Sequence, residues 1–203
     1  DKQVLEVFCR LNMNGIPLNK QELRNGKFFG LFKQTSYNLA LEYLEFWRHH
    51  GIFGEQNIAR MLEVELVSEL LIAGHEGMQD KKTTIDTFYE DWEESYPDQK
   101  QNEKRFRKTL GVISETFNNG DLKDSAFRRP PLFYTLYCVV YHHLFGLPAV
   151  QGSSPKKDLT ATQRESLREA VIHLSEVFDE SKDSAGQVPR KYEAFITATQ
   201  RST

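Results

Sequence analysis

The sequence predicts an all-α fold, an irregular bundle of about 8–9 helices with no substantial sheet. The first observation is period. Ile85, Phe88, Tyr89, Trp92 and Tyr96 fall at i, i+3, i+4, i+7 and i+11, which is one face of a helix. Phe106, Leu110, Ile113 and Phe117 repeat the spacing, and so do Leu167, Val171, Leu174 and Phe178. The second is that no strand-type alternation of any length and no internal repeat survive a pass along the chain. The third is punctuation. Cap and turn residues stand where the periodic segments end.

The elements follow in order. Residues 1–10 open as a helix on Val4, Leu5, Val7 and Phe8. Segment 20–33 starts behind Asn19, whose distance to Glu22 is that of a reciprocal N-cap. Segment 35–50 stops near His50, before Gly51 and Gly54. Segment 55–74 is apolar on more than one side through Ile58, Met61, Leu62, Val64, Leu66, Val67, Leu70, Leu71 and Ile72, so it belongs at the centre of the bundle. Glu65 and Glu69 are then expected to share a narrow polar edge with Glu63 nearby and Arg60 as the pairing cation. Segments 84–96 and 99–118 come next, the second closed by the turn Asn118-Asn119-Gly120-Asp121. Segment 131–146 runs from a proline pair to Gly146. After the turn Gly152-Ser153-Ser154-Pro155, segment 160–179 begins on Thr160 with Gln163, and segment 189–201 completes the series.

The 203 residues carry 26 Lys+Arg against 29 Asp+Glu, a net charge of −3. That balance excludes a wholesale cationic nucleic-acid binder and leaves room for a local basic patch. With 39% hydrophobic and 27% charged residues, the chain is neither disordered nor fibrous. Cys9 and Cys138 stand in apolar surroundings and are expected to be two buried free thiols of a reducing compartment, the alternative being a single long-range disulfide. There is no Asn-x-Ser/Thr sequon and no signal peptide, and the uncharged stretch 130–155 is too interrupted to span a membrane. A soluble, cytoplasmic protein with no membrane partner is expected. His49, His50, His75, His142, His143 and His173 include no i, i+4 pair, and no H-E-x-x-H, Cys-x-x-Cys, phosphate loop or nucleophile elbow occurs. No metal, no cofactor and no complete active site are expected in this stretch.

Residues 8–26 read FCRLNMNGIPLNKQELRNG. Physically this is the end of one helix, a polar loop and a capped restart. Asn14-Gly15 supplies a positive-φ turn, Pro17 stiffens the exit, and Asn19 with Glu22 closes the cap. Arg10 paired with Glu22 across the corner would serve a purely structural role.

The pattern Phe8-x-Arg10-Leu11-Asn12-x-Asn14-Gly15-x-x-Leu18-x-x-x-Glu22-Leu23-Arg24-Asn25 resembles the segment closing the N-terminal domain of the GmrSD-type, modification-dependent restriction family. Phe127-Arg128-Arg129-Pro130-Pro131-Leu132-Phe133 and Phe195-x-x-Ala198-Thr199 resemble the helical region that follows it. The resemblance implies that 1–25 closes an upstream ParB/sulfiredoxin-like domain and that 26–203 is a helical C-terminal domain. It implies that Arg10, Asn12, Asn14 and Gly15 lie beside a nucleotide or phosphate, with Glu22 and Arg24 structuring the corner. The family's Asp-Gly-Gln-Gln-Arg motif, tied to nucleotide hydrolysis and nuclease function, is absent from the sequence. The catalytic residues are therefore expected upstream of residue 1. For the complete protein the resemblance implies an NTP-dependent DNA endonuclease of phage defence that uses NTP and Mg, and this segment alone is expected to be inactive.

Lys100, Lys104, Arg107 and Lys108 lie opposite the Phe106/Leu110/Ile113/Phe117 stripe and form a candidate DNA-contact face. The acidic segment before them, with Asp86, Glu90, Asp91, Glu93 and Glu94, offers another reading in which two antiparallel neighbours neutralise each other. The expected partners are the upstream domain, DNA, and a second copy or a partner subunit. The competing function is a non-catalytic helical protein–protein interaction module, suggested by Tyr134, Tyr137, Tyr141 and Phe145 on one helix.

Overall fold

Residues 62–76 are apolar on nearly every side, and that composition decides the centre of the molecule. In the computed structural model, which describes residues 17–79, 84–150, 157–183 and 190–200, the stretch is one helix. It buries Val64, Leu66, Val67, Leu70, Leu71, Ile72 and Ala73. A helix with so narrow a polar edge has little to offer solvent, so its neighbours wrap it.

In chain order the helices are α1 (Lys20–Lys27), α2 (Leu31–Glu42), α3 (Leu44–His49), α4 (Glu55–Ala59), α5 (Leu62–Glu76) and α6 (Thr84–Asp91). Then follow α7 (Gln99–Thr116), α8 (Asp121–Asp124), α9 (Pro130–Phe145), α10 (Ala161–Asp183) and α11 (Glu193–Gln200). Short 3-10 turns stand at Ala126–Arg128 and Arg190–Tyr192. The structure is 76% helical and has no strand among the described residues, so the all-α prediction holds. Helix α5 packs against α2, α7 and α9, while α10 lies on α7 and the 126–128 turn. No helix of the described residues is long and apolar enough to cross a membrane.

The predicted faces are the buried faces. Ile85, Tyr89, Trp92 and Tyr96 are buried together, as are Phe106, Leu110, Ile113 and Phe117. Phe32 sits at the junction, its ring centroid 5.1, 4.9 and 5.2 Å from those of Tyr89, Trp92 and Tyr96, all edge-on. Such pairs add about 0.5–1.5 kcal/mol each beyond area burial. Both predicted caps are made. Asn19 and Glu22 bond reciprocally, and Thr160 Oγ1 accepts from Gln163 N while Gln163 Oε1 accepts from Thr160 N. The Gly120 turn is also present, at φ 89°.

Several boundaries differ from expectation, each for a tertiary reason. Segment 20–33 stops at Lys27, where Phe28 turns extended, and restarts at Leu31 behind Gly30, on which a Cβ would lie 2.0 Å from the Glu93 carbonyl oxygen. Only a glycine lets the two backbones meet there, and Leu31 N–H bonds the Glu93 carbonyl at 3.3 Å. Segment 35–50 divides at Tyr43, and 55–74 divides at Arg60-Met61, where Met61 takes φ 59°. Segment 84–96 ends as helix at Asp91, although Tyr96 still reaches the core. Helix α10 runs on to Asp183, and the turns at 121–124 and 126–128 were not foreseen. Segment 1–10, the turn at 152–155 and Cys9 lie outside the described residues.

Two pairing expectations are corrected. Arg60 does not serve Glu65; it holds Glu22, and Glu65 is held by Arg24. The acidic helix α6 does not neutralise α7, because it serves α1 and the chain after it: Asp86 with Arg24, Glu90 with Lys27, and Glu93 accepting from Phe29 N–H. The aromatic helix α9 is core rather than a free surface, with Tyr137 and Tyr141 buried and Tyr134 and Phe145 packed against them. Tyr141 Oη donates to the Gly74 carbonyl at 3.0 Å, where a Cβ would meet the tyrosine ring at 3.0 Å. Cys138 is a buried free thiol.

Candidate functional site

The residues that carry the family resemblance divide between two regions. Arg10, Asn12, Asn14 and Gly15 lie outside the described residues. Glu22 and Arg24 are described, and both turn away from solvent to fasten α1 to the bundle. They form a two-part latch.

The first part is the capped start of α1. Asn19 Oδ1 accepts from Glu22 N–H at 2.8 Å, and Glu22 Oε2 accepts from Asn19 N–H at 2.5 Å. Arg60 then grips the same carboxylate with two nitrogens, Nε to Oε1 and Nη2 to Oε2, each at 3.0 Å. Its Nη2 also donates to the Pro17 carbonyl at 2.8 Å, and Asn19 Nδ2 donates to the Arg60 carbonyl at 2.7 Å. Burial pushes the Glu22 carboxyl up, but the Arg60 and Asn19 hydrogen bonds outweigh it and hold the group below the usual carboxylate range. The reach of Arg60 depends on the break after it. Met61 in the left-handed region ends α4 and redirects the chain into α5. A non-glycine residue there costs about 1–2 kcal/mol.

The second part is Arg24, only 2% exposed. Its Nε donates to Asp86 Oδ1 at 2.6 Å, and its Nη1 donates to Glu65 Oε2 at 2.9 Å and to Gln21 Oε1 at 3.3 Å. Gln21 Nε2 donates onward to Tyr89 Oη at 3.0 Å, which shares a 2.8 Å hydrogen bond with Ser68 Oγ. Ser68 donates in turn to the Val64 carbonyl at 2.8 Å. One guanidinium thus ties α1 to both α5 and α6. A buried arginine is tolerated because carboxylates meet it in the planar geometry it presents.

Sequence reasoning foresaw the Asn19–Glu22 cap, since a cap is local. It missed Arg60, Glu65, Asp86 and Tyr89 as partners of the motif, because they lie 38 to 68 residues away. No short-range pattern carries those pairings.

The four cations of the candidate DNA face are not equivalent. Arg107 binds Glu42 on α2 through Nε and Nη2, at 2.8 and 2.9 Å, and Glu103 at 3.0 Å. Lys108 is paired with Asp158 at 3.0 Å. Lys100 and Lys104 are exposed and form no ion pair among the described residues. The free positive charge of the face is therefore these two lysines.

Among the described residues no three His, Cys, Asp or Glu side chains converge. Comparison with protein-family models, with curated proteins and with solved structures finds no match.

Proposed function

We propose that this chain is the helical C-terminal part of a GmrSD-like restriction protein, supporting an upstream nucleotide-hydrolysing nuclease domain. The observation that carries the reading is the use made of Glu22 and Arg24. The two charged residues of the Glu22-Leu23-Arg24-Asn25 motif are both spent on clamping α1 to α4, α5 and α6. A rigid corner of that kind suits a segment that must hold a preceding phosphate-binding loop in fixed relation to a helical body. Lys100 and Lys104 supply sequence-independent phosphate contacts in the same reading.

The purified 203-residue chain is expected to hydrolyse no NTP and to cut no DNA, and clear turnover by it overturns the proposal. In the complete protein, Lys100→Glu with Lys104→Glu is expected to lower DNA affinity and flatten its salt dependence by about two charges. Unchanged affinity and slope remove the DNA role from this face. The second reading, a non-catalytic helical interaction module, is favoured by the exposed apolar strip on α2. The coding sequence preceding Asp1 discriminates, since Asp-Gly-Gln-Gln-Arg there belongs to the first reading alone.

A further inference from the structure

Among the described residues seven large hydrophobic side chains are exposed, and four of them stand on or next to α2. They are Phe29 (62% exposed), Leu31 (39%), Tyr37 (43%) and Leu41 (58%). The opposite face of α2 buries Phe32, Thr35, Ser36, Leu39 and Ala40, so the helix has an apolar side inside and a second one outside. At about 100° per residue, Tyr37 and Leu41 follow one line with Gln34 and Asn38 beside it, and Glu45 stands past the break at Tyr43, in the first turn of α3.

The charges around the strip are sorted by end. Lys33 Nζ lies 5.8 Å from the Phe29 ring centroid and 5.9 Å from that of Tyr37, which puts a cation over the N-terminal half. Glu45 stands at the C-terminal end with its side chain 89% exposed, while Glu42 beside it is already held by Arg107. Arg48, which touches Glu45 at 2.9 Å, is also held by Glu55 through Nε and Nη2 at 2.7 and 3.0 Å. Glu45 is thus free to turn outward without stranding Arg48.

We propose that this strip is the interface of a homodimer in which two copies pack α2 antiparallel about a two-fold axis near Tyr37 and Asn38. The surface is its own complement. Antiparallel pairing sets Tyr37 and Leu41 of one copy against Tyr37 and Gln34 of the other, and brings each Lys33 toward the exposed Glu45 of its mate. The contact uses none of the latch residues and is independent of the proposed nuclease association.

Sedimentation equilibrium of the 203-residue chain at low salt tests it. A dimer at micromolar concentration is expected. Leu41→Glu is expected to raise its dissociation constant about a hundredfold, by setting unpaired charge in the contact, with circular dichroism and melting temperature unchanged. Lys33→Glu is expected to weaken the dimer and Lys33→Glu combined with Glu45→Lys to restore it. A chain that stays monomeric, or a dimer indifferent to Leu41→Glu, overturns the proposal. Failure of the double exchange to recover what Lys33→Glu loses overturns the antiparallel pairing. A monomer whose binding to a fluorescent dT20 oligonucleotide is lost on Leu41→Glu overturns it in favour of a nucleic-acid surface. NTP and DNA assays of the complete protein stay separate from every one of these outcomes, since Leu41 and Lys33 lie outside the latch.

Discussion

Replacing Arg24 by methionine removes the charge and the donors while keeping an unbranched side chain of similar reach. The guanidinium is 2% exposed, and its two carboxylate partners differ sharply: Glu65 is 13% exposed and Asp86 is 52%. Breaking a buried pair by deleting one member costs about 3–5 kcal/mol, whereas an exposed pair is worth about 0–1 kcal/mol. The half-exposed Asp86 returns to water at little cost, so the loss is dominated by Glu65 and Gln21. The expected destabilisation is therefore at the low end, about 3 kcal/mol. For a chain of this size that is a drop in melting temperature of about 6–12 °C. Urea unfolding followed by circular dichroism measures it, and a double-mutant cycle apportions it. Arg24→Met with Glu65→Gln should couple by about 2 kcal/mol, and Arg24→Met with Asp86→Asn by less than about 1 kcal/mol. A loss below about 1 kcal/mol for Arg24→Met, or equal coupling to both carboxylates, refutes the argument that burial makes Arg24 the fastening of α1.

Three further expectations concern the fold. Gly30→Ala is expected to destabilise by about 3 kcal/mol or more, because the new Cβ would meet the Glu93 backbone at 2.0 Å and no rotamer relieves it; Gly111→Ala, with nothing within 4 Å of its Cβ, should instead stabilise α7 by about 0.5–1 kcal/mol in the same urea assay. His50 is 2% exposed, its Nδ1 has no hydrogen-bond partner, and burial first and the neighbouring His49 second lower its pKa from 6.5 to about 4. The unfolded chain then binds the proton that the folded chain refuses, so this contribution is complete above pH 6.5 and lost as pH falls toward 4. It amounts to about 3 kcal/mol at most, and His50→Phe should flatten that part of the stability–pH curve, as unfolding at pH 7 and pH 4.5 would reveal.

How much of this was legible beforehand depends on the range of the interaction. The faces of α6, α7 and α10 were readable because burial follows a period of 3.6 residues, and the Asn19 and Thr160 caps were readable because a cap joins residues three apart. The break at Gly30 was not. As a local signal Gly30 is a glycine inside a helical pattern, and only the approach of the Glu93 backbone gives it a purpose. The split at Met61 was equally silent, since methionine has no local preference for a left-handed turn.

The latch divides in the same way. That Glu22 and Arg24 belong to a structured corner followed from the sequence, while their partners did not, because Arg60, Glu65 and Asp86 are distant in the chain and near only once α4, α5 and α6 have packed. By itself the sequence determined the helical class, the apolar faces and the central place of segment 55–74, for these depend on side-chain spacing along a rigid local geometry. Tertiary structure alone decided which cation answers which carboxylate, where long helical patterns break, and which apolar residues of α2 remain outside. Those are contacts between segments, and a backbone free to pair a charge with several partners reveals its choice only after the core has set their distances.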